Sequence, residues 1–76
     1  MANMKDYSEI YRYAWNAQEI RRAKKLIAAA EAGKINSENY WDFVRGLCAN
    51  VRSDHAIGRL QIIAENFYNL YINQEA

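Results

Sequence analysis

Arg52, Ser53, Asp54 and His55 stand in consecutive positions, so one tetrapeptide holds the hydroxyl, carboxylate and imidazole of a hydrolase triad. A triad works only when nucleophile, base and orienting acid converge in space, and consecutive residues at a helix start project in different directions. Ser53 and Asp54 therefore read as helix-capping residues, and His55, the one histidine, as a structural or surface side chain. Cys48 with His55 is the nearest approach to a metal site. Two candidate ligands seven residues apart, with neither CxxC nor HExxH beside them, fall short of the three or four convergent ligands a metal requires. Cys48 is the only cysteine and makes no internal disulfide, which fits a reducing compartment and a buried small side chain.

The carboxylates are scattered, with no inward-facing ExxH pair for glycosidase or di-metal chemistry. No GxGxxG or GxxxxGK is present, and Gly33, Gly46 and Gly58 are isolated. With no catalytic constellation and no cofactor motif, the chain is expected to be non-enzymatic. Gly46 and Gly58 fall inside helical patterns, where each costs roughly 1 kcal/mol relative to alanine. They are expected to let a neighbouring helix approach closely.

What remains for chemistry is charge. Arg21, Arg22, Lys24 and Lys25, in "RRAKK", spread over nearly half the circumference of a helix, with Ala23 on the apolar side. Such a ridge can contact an acidic protein surface or neutralise phosphates of a nucleic acid or nucleotide, and it can equally be the solvated face of an amphipathic helix. The first 34 residues carry seven basic and four acidic groups and the remainder three and five, so the net charge of +1 hides a bias toward this ridge. A helix-turn-helix would have to lie in "NYWDFVRGLCANVRSDHAIGRLQII". It lacks a glycine at the turn, and its second helix offers only His55, Arg59 and Gln61 outward.

The elements that must position these residues are helical. Proline is absent, glycine is scarce, and 51% of residues are apolar, so the composition supplies helix formers and starves hairpin turns. The 76 residues are read as a single domain, 1–76, near the lower limit for an unaided core, with oligomer formation the commonest further help. Helices are expected over about 5–32, 37–50 and 54–73: an all-α, three-helix bundle with a long N-terminal helix. Ser8 or Asp6 caps the first helix and Gly33 stops it; Asn36 or Ser37 caps the second; Ser53 and Asp54 open the third. Tyr40, Phe43, Val44, Leu47, Cys48 and Val51 make one apolar stripe, and Leu60, Ile63, Ala64 and Phe67 lie on another.

The first helix presents two apolar faces at helical spacing. Ile10, Tyr13, Ala17, Ile20, Ile27 and Ala30 form the expected core stripe, while Tyr7, Tyr11 and Trp15, spaced by four, lie on a second face. Either a break near Asn16 folds the N-terminal part back and buries both faces within one chain, or the second face meets another copy or a target. A second copy is the expected answer, making the protein a homo-oligomer.

No apolar run approaches 18 residues and the N-terminus lacks a secretory pattern, so a cytoplasmic protein without a membrane span is expected. In general character the chain resembles very small helical proteins of phages and mobile elements. That resemblance implies a protein that binds and occludes or inhibits a partner, such as a host defence complex. Nucleic-acid-binding regulation through residues 21–25 is the alternative, and nucleotide sequestration between subunits a third reading.

Overall fold

Every regular element in the computed structural model, which describes residues 6–73, is helical. A 3-10 helix, Ser8–Tyr13, precedes α1 (Ala17–Glu31), α2 (Tyr40–Cys48) and α3 (Asp54–Phe67), which continues as a π-helical turn, Tyr68–Ile72. No helix among the described residues is long and apolar enough to cross a membrane.

The long helix expected over 5–32 is not formed; its expected start at residue 5 lies outside the described residues. Ala14 (φ −99°, ψ 121°) and Asn16 (φ −146°, ψ 176°) are both extended, so the chain changes direction between the 3-10 helix and α1. Asn16 is the cause that can be named. Its Oδ1 accepts from Glu19 N at 2.9 Å, while the Glu19 carboxylate reaches back to Trp15 N at 2.8 Å and Asn16 Nδ2 at 3.3 Å. This reciprocal N-cap with a glutamate three residues on satisfies donors that an uninterrupted helix would have used internally.

Breaking the helix also rotates its buried face. α1 turns Glu19, Ala23, Leu26 and Ala29 inward, whereas Ala17 and Ile20, assigned to the core stripe from sequence, are exposed. The expected stripe was counted continuously from Ile10, and helical spacing carries no azimuth across three non-helical residues. Ile10 itself is fully buried, but from the 3-10 helix.

The Gly33 stop and the Ser53 start follow their local signals, whereas α2, expected over 37–50 with Asn36 or Ser37 as its cap, runs from Tyr40 to Cys48 with Asn39 at its N-cap and no side-chain cap bond. Gly33 adopts φ 72°, and Gly33 N donates to Ala30 O while Lys34 N donates to Ala29 O. That pair of bonds is the Schellman closure that a left-handed glycine permits. Asn36 Oδ1 accepts from Glu38 N and Asn39 N at the turn into α2, and Ser53 Oγ accepts from Ala56 N at the start of α3.

α3 is the central element, packed against the 3-10 helix, α1 and α2. Ile10, Leu26, Tyr40, Val44, Ile63 and Phe67 belong to one buried cluster. Tyr40 joins α2 to α3 twice: its hydroxyl donates to Ala64 O at 2.6 Å, and its ring stacks parallel to Phe67 at 6.2 Å. Burial pushes the Tyr40 phenol far above its ordinary pKa, which favours the protonated form that donates this bond.

Gly46 and Gly58 do not allow a close approach. A Cβ at either would meet nothing within 4 Å, and neither has positive φ. Gly46→Ala and Gly58→Ala are each expected to stabilise the protein by about 0.5–1 kcal/mol through the helix term alone, raising Tm by roughly 2–8 °C. Gly33→Ala is expected to lower it, because a Cβ strains the left-handed conformation. Thermal unfolding followed by circular dichroism checks all three signs.

Candidate functional site

Arg59 lies inside the protein rather than on the outward face of α3 expected from sequence. Its Nε donates to Glu19 Oε2 at 3.0 Å and its Nη2 to Glu19 Oε1 at 2.8 Å, a bidentate ion pair with side chains only 9% and 8% exposed. Nη2 also donates to the Tyr13 carbonyl at 2.5 Å, at the end of the 3-10 helix. The guanidinium carbon sits 3.7 Å from the centroid of the Trp15 ring, which covers it as a cation–π lid. One side chain of α3 thereby holds the start of α1, the end of the 3-10 helix and the link between them.

The pair reads as structure rather than chemistry. Glu19 accepts from Arg59, Trp15 N and Asn16, and these bonds, with the Arg59 bonds largest, hold its carboxyl at about 2, well below the ordinary glutamate value. A carboxylate that remains ionised and saturated with donors neither takes nor gives a proton near neutrality.

Of the three aromatics assigned to a second copy or a target, Tyr7 and Tyr11 pack against this chain's own core. Tyr7 stacks on Phe67 at 5.8 Å with rings 4° apart and meets Tyr71 edge-on at 4.9 Å. Burial, reinforced by Glu31, raises its pKa. Trp15 alone stays open, 74% exposed outside its stack on Arg59. The fold-back that covers Tyr7 and Tyr11 is the one the Asn16 break creates.

The four cations Arg21, Arg22, Lys24 and Lys25 do lie together on α1, and Arg21, Lys24 and Lys25 are exposed. Arg22 is half-buried, its Nη2 donating to Gln18 Oε1 at 3.4 Å. None of the four is in an ion pair among the described residues; the two pairs found there are Arg59 with Glu19, and Arg45 with Asp42 on the surface of α2. Arg12, Lys34 and Arg52 are also exposed and outside both pairs, while α2 and α3 themselves carry no unpaired Lys or Arg. A helix-turn-helix spanning those two helices loses its main cation, since Arg59 is consumed inside the fold.

His55 is exposed and Cys48 half-buried, and no group of three or more metal-ligating side chains occurs among the described residues. Sequence reasoning missed the Asn16–Glu19 cap and the Arg59 pair. The first had a local signal, N-x-x-E in "NAQE"; the second had none, because 40 residues separate the partners. No protein-family model matches the chain, and no similar curated protein or solved structure was found.

Two outcomes follow from the ion pair. Arg59→Met leaves Glu19 buried without its partner and is expected to cost about 3–5 kcal/mol in urea unfolding, most of it recovered in Arg59→Met with Glu19→Met. For pH, Glu19 sits at about 2 when folded and near 4.5 when unfolded. Its contribution is complete above about pH 4.5 and is lost as pH falls toward 2, because the unfolded chain takes up the proton first. Wild type is expected to lose roughly 3 kcal/mol over that window, and Glu19→Gln to show a flatter acid limb.

Proposed function

We propose that this protein is a non-enzymatic interaction protein that binds an acidic surface of a macromolecular partner through the basic face of α1 and acts by occluding it. The observation that carries the reading is the disposition of charge. Arg45 and Arg59 are matched to carboxylates of the chain, while Arg21, Arg22, Lys24 and Lys25 share one helix without any. Unmatched like charges on adjacent turns repel one another by a few tenths of a kcal/mol per pair, a cost that a partner of opposite charge reverses. An inhibitor of a host complex would be one protein of this kind.

The clustering of four of the unpaired cations on one helical face favours a protein surface over duplex nucleic acid. Duplex binding gains by neutralising many phosphates, and a single helical face reaches few. Nucleic-acid regulation remains the alternative, distinguished by its steep salt dependence.

A second copy of the chain is the other reading, on narrower ground than the sequence implied. Trp15 carries it, with Ile62, 46% exposed, one turn beyond Arg59 on α3. Light scattering decides: Trp15→Ala is expected to dissociate an oligomer, and a monomeric wild type overturns this reading.

The binding face is tested by charge reversal. Arg21→Glu with Lys25→Glu is expected to leave the melting temperature nearly unchanged, because both side chains are exposed, while proteins captured from the source cell by immobilised wild type are lost. The same captured set with wild type and variant overturns the proposal. So does a captured set that duplex DNA displaces with a steep salt slope.

A further inference from the structure

α1 and α2 both pack on α3 and only lightly on each other, leaving a groove between them. Two depressions of about 150 and 350 Å³ make it up, joined through Lys25 and Leu47, which line both. The floor is apolar: Ala28 and Ala29 from α1, with Ala32 just past its end, face Phe43 and Leu47 from α2. Arg21, Arg22 and Lys25 stand along the α1 wall and Lys34 closes the far end, with no acidic side chain lining either depression. From Gln18 to Ala32 the groove follows α1 for about 20 Å, or four helical turns.

We propose that this groove docks an acidic amphipathic helix of a partner protein, seating its apolar stripe on the alanine and Leu47 floor and its carboxylates against the cations of the walls. The inference rests on the reading of α1 as a partner-binding face and supplies the shape of the partner. Two independent features select this occupant. Small alanines opposite larger α2 side chains make a concave strip that accepts side chains at i, i+3, i+4 and i+7. The cations along the α1 side, with no carboxylate lining either depression, match carboxylates flanking such a stripe and repel a basic helix. A phosphodiester backbone would use the rim but gain nothing from an aliphatic floor.

The test uses a labelled synthetic peptide about four turns long, with leucines at i, i+3, i+4 and i+7 and glutamates on the flanks, read by fluorescence anisotropy. The expected result is saturable binding, weakened about tenfold or more when the same residues are shuffled out of helical register. The same loss is expected in Ala28→Glu with Ala32→Glu, which leaves every cation in place and alters two exposed positions. Arg12→Glu, at an exposed cation of the 3-10 helix that lines neither depression, is expected to weaken binding less than about threefold, by screened charge alone. Amide shifts of wild type on titration with the peptide are expected at Ala28, Ala32 and Leu47, which tests the location without any variant.

Equal affinity for the shuffled peptide, shifts elsewhere on the surface, or displacement by duplex DNA at equal phosphate and carboxylate concentration would each overturn the groove. So would absence of peptide binding. If the groove fails while Arg21→Glu with Lys25→Glu still abolishes partner capture, the cationic face stands and only its shape was misread. If the charge reversal is also silent, both readings fall.

Discussion

A guanidinium and a carboxylate, each more than nine-tenths buried, meet where three segments of the chain converge. Removing such a pair from water costs several kcal/mol per ion, and the cost is offset only when nearly every donor and lone pair finds a partner. Arg59 and Glu19 achieve this by recruiting main chain. The Tyr13 carbonyl, the Trp15 amide and the Asn16 side chain all point at the pair, and the Trp15 ring covers it. Satisfying the ions therefore dictates where the 3-10 helix ends, where α1 begins and how α1 is rotated.

The rotation has a consequence on the far side of the helix. With Glu19, Ala23, Leu26 and Ala29 turned inward, Arg21, Lys24 and Lys25 are directed to solvent, and Ala28 and Ala32 come to the flank that looks toward α2. The alternative register, with Ile20 and Ala17 inside, would have placed a different set at the surface. The composition of the proposed binding face thus depends on an ion pair that takes no part in binding.

Aromatic packing supplies the second constraint. Tyr7, Phe67 and Tyr40 stack nearly parallel, and Tyr68 and Trp41 continue the column across α2. Large rings bury much area with few rotatable bonds, so a few of them can close a core in a chain this short. These rings fasten the residue ahead of the 3-10 helix, and α2, to α3 and its π-helical turn. Nothing comparable joins α2 to α1, and the groove between them is what remains.

Local signals were legible where the cause was local. Helix type, the Gly33 stop, the Ser53 cap and the apolar stripes of α2 and α3 follow from backbone propensity, capping chemistry and spacing within a few residues, whereas Asn36 closes a turn ahead of α2 and does not cap it. The cluster of cations on α1 was legible for the same reason, since residues 21–25 need only a helix to lie together. The N-x-x-E signal at Asn16 was equally local, but a continuous periodic reading runs over it unless the cap is given precedence.

The interior identity of Arg59 was not legible, nor was the covering of Tyr7 and Tyr11. Each depends on residues that meet only when distant segments pack: Glu19 for Arg59, Phe67 and Tyr71 for Tyr7. Sequence by itself determined that the chain is helical, that a helix stops at Gly33 and another opens after Ser53, and that four cations cluster on α1. Only the tertiary structure decided which face of α1 is inside, which arginine is consumed and where a groove is left. Those outcomes follow from pairing buried charges and rings across the fold, and helical periodicity within one segment contains no information about its partner.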